Sequence, residues 1–399
     1  MPDDGFVQFN KHIIEYMRGV YVLLLISLLG YAGRVSGQES VTITQCYEWA
    51  RANYPQIHQM GLIDQTERYS LSNVGKAWLP QLSVSGKASY QSDVTKLPLD
   101  GDKISSLLPG FEIPSLSKDQ YQVVAQVDQT IWDGGSTRSA RALTRAEAIA
   151  NREQLESELY ALNDRVNQIY FGCLLQDELI RQNALLQKEL QVNIERIKAM
   201  MENGVANQSD LESMEVELLN ARQNEIELKA SRTVYRQMLA TFINKPLTDQ
   251  VVLKTPESPE RSLSTQINRP ELRALDAKSE WIETQNKQVT AGLMPRIGAF
   301  VQGGYGRPGL NMLEDSFEPY YVAGVRLSWN LGKLYTLKND RRKIEVSRRQ
   351  IDVQRETFLF NTRLQLLRQN TEIKKMTDLM RADDDIIRLR TSIKQAAEV

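Results

Sequence analysis

One order of unlike elements occurs twice in this 399-residue chain, and that duplication constrains the fold more than any single motif. At an offset of about 215 residues, Asn53-Tyr54-Pro55 returns as Asn268-Arg269-Pro270, Pro80 as Pro295 and Tyr90 as Tyr305. Further on, Ile131-Trp132-Asp133-Gly134-Gly135 is echoed by Ser328-Trp329-Asn330-Leu331-Gly332. Each copy holds the same parts: a helical stretch, a proline, an alternating strand, a loop, a second strand and a very long helix. A unit that cannot bury its own apolar face is completed by a neighbour. The pattern therefore points to an assembly rather than a pocket enzyme.

The strands carry a period of two. In residues 80–91, Leu82, Val84, Gly86, Ala88 and Tyr90 alternate with Ser83, Ser85, Lys87 and Ser89. In 121–131, Tyr121, Val123, Ala125, Val127 and Ile131 alternate with Gln122, Gln126, Asp128 and Thr130. The second copy repeats this over 296–306 and 320–330, with Gln302, Arg326, Ser328 and Asn330 on its polar side. A half-buried soluble sheet would show the same alternation. The aromatic residues argue for lipid instead: Tyr90, Tyr121, Tyr305, Tyr320 and Tyr321 lie at the loop ends, Trp132 and Trp329 at the helix ends. Two aromatic bands around an apolar stretch of about ten residues match a transmembrane β-strand. Four strands cannot close a barrel, and lipid does not tolerate open edges. Three copies would supply twelve strands, within the bacterial range, and cyclic symmetry closes such a wall.

The helices are long. Residues 136–203 contain one glycine, Gly172, and no proline, enough for roughly 100 Å of helix. Leu155, Leu159, Leu162, Val166, Ile169 and Cys173 form a seam for a partner helix. After Gly204 a second run to Asn244 keeps a similar rhythm through Leu211, Met214, Leu218, Ala221, Leu228, Tyr235, Leu239 and Phe242, interrupted by Glu225 and Arg232. The expectation is an antiparallel hairpin over 136–244 that turns at Asn203-Gly204-Val205-Ala206-Asn207, with glycine in the left-handed conformation. Residues 251–268 read as a linker, so the first repeat spans 38–250 and the second 269–399. The second long helix begins near Lys333 and runs to Val399. The interval from Gly135 to Gly204, counted on from Gly332, passes the last residue. The expectation is a product cut before its return helix; the alternative is a second copy that never had one.

Charge is near balance, 49 basic against 50 acidic residues, which argues against nucleic acid as a partner. Two cysteines (Cys46, Cys173) and two histidines (His12, His58) indicate no metal site, disulfide framework or acid–base relay. Residues 1–37 read as an N-terminal extension and signal peptide: Met17-Arg18, an apolar run from Val20 to Leu29, then Val35-Ser36-Gly37 before Gln38. An uncleaved anchor is the alternative. No cysteine follows the cleavage context, so no lipid anchor is expected there.

Together these residues resemble the TolC-like outer-membrane efflux protein family. The matching pieces are Ala52-Asn53-Tyr54-Pro55, Leu79-Pro80-Gln81-Leu82, Trp132-Asp133-Gly134-Gly135, the tip Asn203-Gly204-Val205-Ala206 followed by Asp210-Leu211, and Arg269-Pro270-Glu271-Leu272. The resemblance implies an α+β membrane protein. Long antiparallel α-helical coiled-coil hairpins and four transmembrane β-strands per chain would complete a trimeric twelve-stranded β-barrel and an α-helical tunnel. It implies a passive export duct for small molecules or proteins in the bacterial outer membrane, its helical part in the periplasm. Its partners would be two further copies, outer-membrane lipid, a periplasmic adaptor (membrane fusion) protein, and an inner-membrane efflux pump or ABC transporter, in a tripartite efflux or type I secretion system. Asn203, Gly204, Val205 and Ala206 would be the adaptor-docking tip. The family's second tip and its gating residues would lie past Val399.

On this reading Lys87, Gln126, Asp128, Gln302 and Arg326 face the lumen. Tyr90, Tyr121, Trp132, Tyr305, Tyr321 and Trp329 mark the membrane interfaces. No catalytic set, cofactor site or metal site is expected. Gly304-Tyr305-Gly306-Arg307-Pro308-Gly309 matches G-x-G-x-x-G, but it closes a strand rather than opening a helix. Ser115-Leu116-Ser117-Lys118 matches S-x-x-K with no companion motif. Asp383-Asp384-Asp385 and Arg341-Arg342-Lys343 read as solvated helix faces. The rival functions are a periplasmic adaptor-like hairpin protein, a surface hydrolase, and a non-functional truncated remnant of the channel.

Overall fold

A computed structural model describes residues 40–95, 116–257, 267–311 and 314–397. The signal-peptide reading of 1–37, the middle of loop 92–120, part of linker 251–268 and Ser115 lie outside the described residues. In chain order the elements are β1 (Ser40–Val41), α1 (Ile43–Asn53), α2 (Gln59–Gly75), β2 (Gln81–Tyr90), β3 (Asp119–Trp132), α3 (Ser136–Tyr160), α4 (Leu162–Glu202), α5 (Gln208–Ile243), β4 (Val252–Leu253), α6 (Pro270–Ala291), β5 (Arg296–Arg307), β6 (Glu318–Ser328) and α7 (Leu334–Ala397). Two compact units interleave along the chain. One draws on Met1–Ile57 and Ala161–Ser262, the other on His58–Tyr160 and Leu263–Val399. They cut across the sequence repeats because strands and helices of the first copy pack against those of the second.

The first unit is a helical hairpin with a small clasp. Thr42 opens α1 with a capping box: its hydroxyl accepts from the Gln45 amide at 3.3 Å, and the Gln45 side chain accepts from the Thr42 amide at 2.9 Å. Tyr54 is extended before Pro55 and ends the helix. Val41, Cys46, Ala50, Val166, Ile169, Tyr170, Cys173, Leu239, Ile243, Val251 and Leu253 form one buried core. β1 and β4 pair in parallel, and the Tyr170 hydroxyl lies 2.9 Å from the Val41 carbonyl and 2.6 Å from that of Lys254. Both cysteines are free in this core, and burial pushes each thiol up to about 11.

Polar pairs set the register of α4 on α5. Gln187 donates to Glu225 at 2.8 Å, and Arg232 donates to Asp177 at 2.5 Å. As the number rises on α4 it falls on α5, so the pair is antiparallel. Glu225 and Arg232, which interrupt the apolar rhythm, are thus cross-helix contacts. Gly172 has a similar use: a Cβ there would lie 2.6 Å from the Tyr235 ring. Buried Arg236 donates to the carbonyls of Thr248 (2.7 Å) and Val251 (2.8 Å), which ties the segment after the hairpin to α5. The stretch expected as one helix over 136–203 is two, with Ala161 between them in helical backbone geometry.

The second unit joins a sheet to packed helices. Ile282, Ile344 and Ile351 are buried between α6 and α7, with Leu275, Trp281 and Val289 against them. Glu283 pairs with Arg348 at 2.8 Å and Asp276 with Arg355. Seven residues down α6 match seven up α7, so these helices are antiparallel. Arg273 of α6 reaches Glu153 of α3 at 3.3 Å, and Arg152 of α3 binds Asp64 and Glu67 of α2. The 64 residues of α7 span about 96 Å. From Arg363 to Ala396 all its side chains but Thr377 are exposed, the aspartates 383–385 included.

Candidate functional site

The sheet runs β2-β3-β5-β6, every pair antiparallel. Among the described residues no layer covers either of its faces: Leu82 is 71 % exposed, Val325 70 % and Tyr321 79 %. A sheet normally packs at least one face against another element. Fully burying such a side chain is worth about 1.5–3 kcal/mol, so a row of them left in water would forgo a large part of the stability of a domain. Among the described residues the chain supplies no cover of its own for these side chains.

Register sorts the side chains. Gln126 stands between Ser83 and Gln302, and Asp128 between Gln81 and Phe300. Lys87 pairs with Gln122, Gln302 with Val322, and Arg326 with Gly298. Directly opposed residues share a face, so Lys87, Gln126, Asp128, Gln302 and Arg326 stand on one side. The other side carries Leu82, Val84, Tyr90, Tyr121, Val123, Val127, Val301, Tyr305, Tyr321, Val325 and Leu327. At its loop end the Phe317 ring stacks on Tyr305 (5.6 Å) and Tyr121 (6.3 Å).

Two placements depart from simple alternation. Trp132 has the parity of the polar face, but a bulge between Thr130 and Trp132 brings it opposite Ile297 on the apolar face. Tyr320, grouped in sequence with the loop-end aromatics, instead pairs with Gly304 on the polar face, where its hydroxyl accepts from Gln122. Trp329 lies just past β6 and donates its indole N–H to the Leu293 carbonyl at 2.9 Å.

A charged cluster occupies the helix end of the polar face. Gln126 donates to Asp128 at 2.7 Å, Arg326 lies 3.9 Å from Asp128, and its guanidinium sits over the Phe300 ring at 4.8 Å. Phe300 was not among the expected lining residues, although its even number gives it the parity of Gln302. Just beyond, Asp133 accepts from the amides of Gly135 (2.9 Å) and Thr137 (2.6 Å). Partial burial pushes its carboxyl up, but these hydrogen bonds outweigh it and hold the group below the usual carboxylate range. Gly134 (φ 67°) has no room for a side chain, since a Cβ would lie 2.6 Å from that of Met294.

The hairpin tip is built from two caps. The Val205 amide bonds the Met200 carbonyl and the Gly204 amide that of Met201, both at 2.9 Å, a Schellman motif with Gly204 at φ 76°. Asn207 opens α5 through a capping box with Asp210 (3.0 and 3.1 Å). Between the caps Val205 is 70 % exposed, with Asn203 and Gly204 exposed and Ala206 half-buried.

The G-x-G-x-x-G match ends β5 and precedes no helix. Gly304 makes room for the Tyr320 ring, and a Cβ on Gly306 would lie 2.7 Å from the Tyr121 carbonyl. Among the described residues no group of three or more His, Cys, Asp or Glu side chains could hold a metal ion. Among them, too, no helix is long and apolar enough to cross a membrane.

Residues 46–245, half of the chain, match the model of the outer membrane efflux protein family. No curated protein matches the sequence. Among solved structures the fold resembles the CmeC outer membrane channel of Campylobacter jejuni (TM-score 0.53, 12 % identity, covering 80 % of this chain and 68 % of that one). It also resembles CusC, a transmembrane channel (0.52, 13 %, 80 % and 72 %), and the outer membrane protein VceC of Vibrio cholerae (0.50, 14 %, 80 % and 75 %).

Proposed function

The chain belongs to the outer membrane efflux protein family, and on that premise we propose that three copies close a twelve-stranded barrel whose polar sheet face is the lumen. The observation that supports this reading is the common face of Lys87, Gln126, Asp128, Gln302 and Arg326, opposite an uncovered apolar face. The apolar face meets lipid, and Tyr90, Tyr121, Tyr305 and Tyr321 mark one membrane boundary, Trp132 and Trp329 the other. The exposed edges β2 and β6 pair with neighbouring copies, which removes open edges from the bilayer.

The helical part stands in the periplasm. Asn203, Gly204, Val205 and Ala206 dock an adaptor, and the driving energy comes from an inner-membrane pump, the chain itself being a transport component rather than an enzyme. Along the sequence the repeats divide at the linker 251–268. Lumenal charge acts on solutes only through their passage, so the test is conductance. Full-length protein in planar bilayers should form pores, and Arg326→Glu should shift their selectivity toward cations. Native mass should give a trimer. A monomer without conductance, recovered outside the outer-membrane fraction, would refute the channel.

A further inference from the structure

At the helix end of the sheet a cleft of about 900 Å³ opens between the start of α3 and the end of α6. Arg138, Arg141 and Arg145 line it from α3, three and four residues apart and so on one face of that helix. Lys287 lines it from α6, and Trp78 and Met294 complete an apolar side. Among the described residues the one lining carboxylate is Asp133, already engaged by the amides of Gly135 and Thr137. Among the described residues none of these four cations has a carboxylate partner. Four exposed cations line one cavity beside the positive N-terminal end of α3, a setting that favours an anion.

The position of the cleft indicates which anion. Gln129 of β3 donates to the Trp78 carbonyl at 2.9 Å, which fixes this corner to the sheet beside Trp132. Met294 adjoins Leu293, whose carbonyl holds the Trp329 indole. The cleft therefore lies level with the tryptophans, where a bilayer passes from acyl chains to headgroups. Guanidinium forks match phosphate oxygens in two-point hydrogen bonds. We infer that this cleft holds the phosphate headgroup of an anionic phospholipid from the periplasm-facing leaflet, with Trp78 and Met294 against the upper acyl chain.

The inference rests on the membrane placement proposed above. Its test is native mass spectrometry of the full chain, extracted in detergent and incubated with phosphatidylglycerol, phosphatidylethanolamine or inorganic phosphate. The expected result is retention of phosphatidylglycerol over phosphatidylethanolamine. The variant R138Q/R141Q/R145Q should retain it at least about tenfold less, and K287Q, from the other helix, about fivefold less. Unchanged retention in both variants would overturn the inference, as would displacement of the lipid by inorganic phosphate. Loss of trimer with lipid retention unchanged would overturn it in favour of a contact between copies. Wild-type conductance without lipid retention would sink this inference alone; absence of both would sink the channel as well.

Discussion

The Tyr320 ring occupies the space over Gly304 on the adjacent strand where any other residue would place its Cβ. The pair fills the polar face at the loop end of the sheet without a bulky residue opposite the tyrosine. Gly304→Ala should force the ring off and destabilise the sheet by about 1–3 kcal/mol. Adding Tyr320→Ala should restore most of that loss. Thermal unfolding of the purified protein would measure both, and additive losses would refute the steric account.

Acid should act at Asp133. Its folded-state carboxyl lies below the ordinary value of 3.8, so its contribution is complete above that value and fades as pH falls through the lowered one. Wild type should exceed Asp133→Asn by about 0.5–1 kcal/mol at neutral pH. The gap should hold down to about pH 5 and close below 3.8. Denaturant unfolding across pH 3–7 checks the window.

The tip separates stability from docking. A Cβ on Gly204 meets no atom within 4 Å, so Gly204→Ala should cost only left-handed backbone strain, about 1–2 kcal/mol. Val205→Asp changes an exposed side chain and should leave unfolding unchanged while weakening adaptor binding. A surface-plasmon titration against the adaptor would read the second effect, and undiminished binding would argue against docking at this tip.

Arg236 should be the costliest polar truncation in the first unit. Arg236→Met leaves the carbonyls of Thr248 and Val251 without their donor, at about 2–3 kcal/mol. Arg232→Met removes a pair whose partners Asp177 and Asp249 are more exposed, and should cost about 1 kcal/mol or less. Unfolding midpoints of the two variants in the reverse order would contradict this ranking.

Period two was readable because the two faces of the sheet differ in polarity, so the strands alternate except where β3 bulges before Trp132. Gly204 marked the tip because a left-handed cap selects glycine. The bulge at Trp132 was not readable: an extra residue resets parity without any change in composition. Nor were β1 and β4, since two-residue strands carry no period and their pairing is set by distant packing on Tyr170. Glu225 and Arg232 look like flaws in a seam because periodicity counts apolar residues only and cannot see the Gln187 hydrogen bond or the Asp177 ion pair across it. The basic cleft is not legible in the sequence because Lys287 is far along the chain from the three arginines it joins.

The clasp between Ser40 and Val252 bears on how the molecule is made. A chain emerging amino-end first must deliver β2, β3 and the whole hairpin before β4 arrives to lock β1 in place. Closing so wide a loop is slow, and until then the Tyr170 hydroxyl lacks the Lys254 carbonyl. Maturation in the cell should therefore depend on a holding chaperone until residue 253 has appeared.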